Sequence, residues 1–154
     1  MKKYTIFFMA AALCMAVFTG CKDKNGSDIT VKSSIVGEWQ LSEWNGEQAV
    51  DFSIYMRFKE NGHFDLYQKV TTSYFELYEG QYRISSDGLL TGRYSDGQNW
   101  NESYDFTLSD SDRRLTLVSR SDSHVVSVYV RTQIPDDLLV QQGRSTRAGS
   151  DRML

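Results

Sequence analysis

Between residues 35 and 132 the chain alternates apolar and polar side chains in short runs, and turn-forming residues separate each run from the next. Successive side chains on a strand point to opposite faces, so a period of two reads as one strand with one apolar face. Eight strands are expected, at 35–44, 53–59, 63–70, 74–84, 89–94, 100–108, 114–120 and 124–132. The inward set of the first is Ile35, Trp39 and Leu41, with Gly37 among them. Ile54, Met56 and Phe58 follow, then Phe64 and Leu66. The fourth run puts Tyr74, Tyr78, Tyr82 and Ile84 on one face, together with Glu76 and Gly80. A glutamate there is awkward, and a bulge or a register end near Gly80 is the expected relief. Tyr104, Phe106 and Leu108, then Leu115 and Leu117, and finally Val126, Val128 and Val130 complete the inward set.

The breaks carry tight-turn chemistry: Asn45-Gly46, Glu60-Asn61-Gly62, Asp87-Gly88, Asp96-Gly97 and Asp110-Ser111-Asp112. Asn-Gly between alternating runs is a strong hairpin signal, because both residues tolerate positive φ, and Asn61-Gly62 is expected to use it. No connection has room for a crossover helix, which excludes parallel pairing for most strands. An open antiparallel meander of this length leaves two raw edges and a wet apolar face. Closure removes both. A two-sheet sandwich competes, but it needs longer Greek-key connections. The expected fold is all-β, an antiparallel eight-stranded up-and-down barrel.

Pro135 cannot donate to a ladder and ends the last strand. Residues 136–142 are expected to make one or two helical turns, with Leu138, Leu139 and Val140 packed on the barrel. Residues 143–154 are polar and arginine-bearing, and are expected to be disordered. The 154 residues fit one domain, and the net charge of −3 without a basic block argues against nucleic acid.

The start of the chain has its own logic. Lys2 and Lys3 precede an apolar run at 6–18, and Thr19 and Gly20 lead to Cys21. Charge, apolar length and small exit residues describe a secretory signal. A helix over that run spans about 20 Å, short of a bilayer core of about 30 Å. The quartet Phe18-Thr19-Gly20-Cys21 resembles the lipobox of bacterial lipoproteins. The resemblance implies a cleaved lipoprotein signal peptide at 1–20, a diacylglyceryl group on the Cys21 thiol, and a membrane partner held by that lipid. The only other cysteine, Cys14, lies inside the discarded segment. Two acyl chains hold stably where one does not. Residues 21–34 begin with Lys22-Asp23-Lys24-Asn25-Gly26-Ser27-Asp28 and read as a flexible tether. That run is also similar to the acid-rich export tags of surface lipoproteins in the Bacteroidota. An outer-membrane location is expected, facing either the periplasm or the outside.

Val36-Gly37-Glu38-Trp39 opens the first strand, and Tyr129-Val130-Arg131 closes the last. The first resembles the Gly-x-Trp of lipocalins (calycins) and of lipocalin-like domains on Bacteroidota lipoproteins. The resemblance implies a barrel over 35–142 in which Gly37, Trp39 and Arg131 plug one end, with the guanidinium across the indole. It also implies a small apolar ligand at the other end.

Catalytic chemistry finds little footing. His63 and His124 each begin a strand with exposed parity, so no metal site is expected. Glu76 and Glu79, three apart on a strand, face opposite sides and do not flank one bond. No enzyme and no cofactor are expected. Two functions remain. The first is binding of a small apolar or amphipathic molecule, lined by Tyr74, Tyr78, Tyr82, Tyr94, Tyr104 and Phe106, for most of which core packing competes. The second is an envelope accessory with a filled barrel that presents loops to a protein or glycan, with Trp44 and Trp100 as surface anchors.

Overall fold

A computed structural model describes residues 35–139 and 152–154. The strands are β1 (Gly37–Trp44), β2 (Glu47–Gln48), β3 (Ser53–Phe58), β4 (His63–Lys69), β5 (Glu76–Ile84), β6 (Leu89–Tyr94), β7 (Tyr104–Ser109), β8 (Arg114–Ser119) and β9 (Val126–Arg131). A short helix, α1 (Asp136–Leu139), follows. Every pairing is antiparallel, and neighbours in sequence are neighbours in the sheet. The first long strand bonds to β3 on one side and to β9 on the other, which closes eight strands into an up-and-down barrel and excludes the sandwich. The two-residue β2 pairs only with β1 and stands outside the ring. Cys21 and the expected signal and tether lie outside the described residues.

The turns partly redistribute the expected chemistry. Asn45 (φ 51°) and Gly46 (φ 85°) make the two-residue positive-φ turn, joining β1 to β2. Around Asn61 only Gly62 has positive φ. Lys59 N–H donates to the His63 carbonyl at 2.9 Å, so residues 60–62 form a three-residue loop instead.

Of the two expected reliefs near Gly80, the bulge is absent and the register end is present, since the β5–β6 ladder ends at Gly80↔Tyr94. β5 runs in unbroken register along β4 from His63↔Gln81 to Gln68↔Glu76, and Glu76 is tolerated because it ends the ladder. The irregularity lies in β1 instead. Trp39 pairs with Arg131 and Leu41 with Tyr129, but Glu43 then pairs with Val128. Ser42 takes up the extra residue, and its hydroxyl donates to the Val128 carbonyl at 3.0 Å. One inserted residue exchanges the faces beyond it. Glu43 thus turns outward to pair with Arg114 at 2.9 Å, and Trp44 packs against the core.

The parity expected for the last strand is reversed. Ser127 and Tyr129 point inward, opposite Leu117 and Leu115, and the valines face out. The register that sets Tyr129 beside Leu41 allows no other choice. Trp39, Ile54, Met56, Phe58, Phe64, Leu66, Leu90, Leu115, Leu117 and Tyr129 fill the interior.

A second apolar cluster lies outside the wall. Tyr67 and Leu77 are covered by Ile134 and by Leu138 of α1, with Tyr55, Phe75 and Leu139 at its margin. Val140, expected to join them, lies outside the described residues. The cover is fastened where Ile134 N–H donates to the Glu38 carboxylate at 2.7 Å. Glu38 also holds Arg57 at 2.7 Å, and buried Asp65 takes Lys59 at 2.7 Å.

Candidate functional site

At one end, the Trp39 indole is fully buried and its N–H donates to the Ile35 carbonyl at 2.8 Å. The Arg131 guanidinium lies 4.2 Å from the indole centroid. Its Nη1 donates to the Val36 carbonyl and its Nε to the Asp112 carbonyl, both at 2.9 Å. One side chain thus joins the entering strand, the leaving strand and the β7–β8 turn. Gly37 makes room for it. A Cβ at that position would fall 2.2 Å from Nη1, and its φ of 134° is one that side-chain-bearing residues rarely adopt.

The opposite end is built from β4, β5 and β6 and the connection after β6. β6 and β7 pair at only two positions, Leu89↔Asp105 and Leu90↔Tyr104, and separate beyond them. Trp100 fills the gap. Its backbone N–H donates to the Gly92 carbonyl at 2.9 Å, and its ring lies where a Gly92 side chain would be, 2.1 Å from an ideal Cβ. The ring meets Phe64 edge-on at 5.1 Å and Tyr104 at 6.2 Å. Tyr78 and Tyr94 stand beside it, 6.1 Å apart.

Into this end runs the stretch 152–154. Leu154 is 2% exposed and belongs to the interior cluster. The Tyr94 hydroxyl donates to the Leu154 carbonyl oxygen at 3.1 Å, and Met153 N–H donates to the Gln68 side chain at 3.3 Å. The Arg152 guanidinium lies 5.0 Å from the Tyr78 ring and 4.3 Å from the Tyr94 ring, and pairs with Asp96. These three residues correct the expectation of a disordered tail. An arginine between two aromatic faces and a carboxylate, beside a buried leucine, is ordered by its contacts. The rest of that tail lies outside the described residues.

A family model for the lipocalin-like domain matches residues 35–117. The chain belongs to the lipocalin-like domain family. The matched stretch includes Gly37 and Trp39 and ends within β8, so Arg131 and the closing strand are contributed beyond it. No curated protein matches the chain.

Within this lipocalin-like barrel the predicted residues part company. Tyr78, Tyr82, Tyr94 and Tyr104 are buried in the interior, and Phe106 packs against it half-buried. Tyr82 is tied at the sealed side, where its hydroxyl donates to the Lys59 carbonyl at 2.9 Å. Tyr74 is not part of the lining. It precedes β5 and is 63% exposed. Trp100 is not a surface anchor but an interior plug, because Gly92 leaves space for its ring. Trp44 is likewise drawn inward, by the bulge at Ser42.

Burial keeps the interior phenols neutral. It pushes Tyr94 far above the ordinary tyrosine range, with Arg152 pulling the other way. Burial raises Tyr104 similarly and pushes Tyr129 up to about 12. Hydrogen bonding from Arg152 holds the Asp96 carboxyl below the usual carboxylate range. Sequence reasoning missed Gln68, Asp96, Arg152 and Leu154. Asp96 was visible only as a turn residue, and nothing local marks 152–154 as a segment that returns to the barrel.

Among the described residues no group of three or more His, Cys, Asp or Glu is placed to hold a metal. A cleft of about 240 Å³ on the outer wall is lined by Lys59, His63, Asp65, Glu79 and Ser95. Phe64 and Gly80 also line it, and it lies beside the Lys59–Asp65 pair.

Proposed function

We propose that this chain is a lipid-anchored lipocalin-like protein of the bacterial envelope whose barrel takes one small amphipathic molecule through its open end. The observation that carries this is the difference between the two ends. Trp39 and Arg131 seal one. The other admits Leu154, from a separate stretch of chain, under the buried rings of Tyr78 and Tyr94. Apolar rings with a few directed polar groups are the ordinary lining of a small-molecule site, and a ligand there would take the place that Leu154 fills.

Cys21, carrying a diacylglyceryl group, is the anchor in this proposal. The first described residues enter the barrel at its sealed end, opposite the tyrosine-ringed end. The location is the outer membrane, on its periplasmic or external side. Native mass spectrometry of protein from its own host tests the binding function: a retained small molecule is expected, and a bare polypeptide mass would count against it. Replacing Cys21 by Ser is expected to move the protein from the membrane to the soluble fraction.

A second function is favoured by a different observation. Val50 and Tyr74, 77% and 63% exposed, sit on two of the connections at the open end. In this alternative the protein is a non-catalytic accessory whose loops meet a protein or glycan. Cross-linking at Tyr74 that captures a partner equally well from ligand-free protein would favour it.

A further inference from the structure

We infer that the barrel mouth is a site for a cationic amphipath, with an ammonium or guanidinium head held by Tyr78, Tyr94 and Asp96 and an aliphatic chain running inward where Leu154 lies. The inference rests on the small-molecule function proposed above and specifies its ligand class.

The chain's own Arg152-Met153-Leu154 shows what the mouth accepts. The Arg152 side chain is only 7% exposed, yet it carries a full charge. That burial is tolerable because two tyrosine rings present their electron-rich faces and Asp96 supplies the opposite charge. The three groups come from β5, β6 and the turn that follows, so the barrel holds them in place. The nearby cation Arg93 is engaged elsewhere, donating to the Gly97 carbonyl at 2.9 Å. Asp96 keeps one backbone donor, Gln98 N–H at 3.0 Å, and takes its counter-charge from Arg152. Inward of the charge the lining turns apolar, and Leu154 joins the core. Positive head and aliphatic continuation are thus both specified.

The tail fits its own site imperfectly. Arg152 Nε is buried without a hydrogen-bond partner, and so is Trp100 Nε1 among the neighbouring aromatics. A buried unpaired donor disfavours the state that contains it. A quaternary ammonium brings no such donor and packs its methyl groups on ring faces. An occupant that buries an unmatched donor of its own is one that a ligand without such a donor displaces.

The test is isothermal titration of the full chain with three single-chain probes below their micellar concentrations: dodecyltrimethylammonium, dodecyl maltoside and dodecanoate. The wild-type protein is compared with Arg152→Gln/Leu154→Ala, which empties the mouth, and with Asp96→Asn, whose fold is checked by circular dichroism. The ammonium is expected to bind the emptied mouth about tenfold more tightly than it binds wild type, a difference of about 1.4 kcal/mol. It should also bind more tightly than dodecanoate, and Asp96→Asn should abolish that preference. Equal binding of all three probes would overturn the cationic head while leaving the small-molecule function standing. Equal affinity in the wild type and the emptied mouth would overturn the assigned place of the aliphatic chain. Binding of none would overturn both the inference and the function it rests on.

Discussion

The Arg131 guanidinium stacks on Trp39 at 4.2 Å because Gly37, the residue opposite Phe58 on the neighbouring strand, leaves its Cβ position empty. Placing Ala at Gly37 forces both a rare φ and a clash with Nη1. Gly37→Ala is expected to destabilise the fold by about 2 kcal/mol. In an Arg131→Ala background the clash vanishes and only the backbone strain remains, so the second penalty should be smaller. Urea denaturation of the four proteins in this cycle measures the difference. Strictly additive penalties would show that the two residues do not share one space.

Gly92 bears the same relation to Trp100. Gly92→Ala should expel the indole, at a cost of about 1 to 3 kcal/mol. Tryptophan emission should shift to the red, since Trp100 is 6% exposed in the intact barrel. An unshifted spectrum would mean that the ring does not depend on this gap.

Alkaline titration tests the interior. Burial raises the pKa values of Tyr94, Tyr104 and Tyr129 in the folded state, so their contribution to stability is complete below pH about 10, the unfolded value. That contribution is lost as pH rises toward the folded values. Absorbance at phenolate wavelengths should therefore show a late group of tyrosines that ionise together with loss of the β-sheet signal. Independent ionisation near pH 10 of every tyrosine would contradict their burial.

Asp96 governs the mouth at the acid end. Its carboxyl is lowered by Arg152, so the contact stabilises the docked 152–154 stretch above pH about 4 and is lost as pH falls through the lowered value. Methyl NMR of Leu154 should report release in that window. Asp87, Asp105 and Glu102 are also held low, and Asp96→Asn separates them from the step at the mouth, because the variant should lack it.

Leu154→Ala should cost about 2 to 3 kcal/mol by thermal or urea unfolding if the leucine is a true core residue. A neutral effect would mark the segment as a loosely held occupant.

Short-range pattern carried the strands and most inward faces, the short turns argued for closure, and the Gly-x-Trp plug came from the resemblance to lipocalins. A strand advertises its buried face every second residue, and a turn advertises itself through glycine, asparagine and aspartate, so both are encoded within a few positions. Where two such signals conflicted, hydrophobicity misled. Val126, Val128 and Val130 are more apolar than Ser127 and Tyr129, yet they face outward.

That reversal follows from β1 meeting β9, two strands separated by most of the domain, whose register brings Tyr129 against Leu41 and Leu115. The bulge at Ser42 answers the same closure and turns Trp44 inward. Trp100 and Leu154 enter the barrel because other segments leave space for them: Gly92 in one case, the mouth between Tyr94 and Gln68 in the other. Local alternation is a property of one strand. Which ring fills which gap depends on surfaces that come together only when the ends of the sheet join, and no run of neighbouring residues records that meeting.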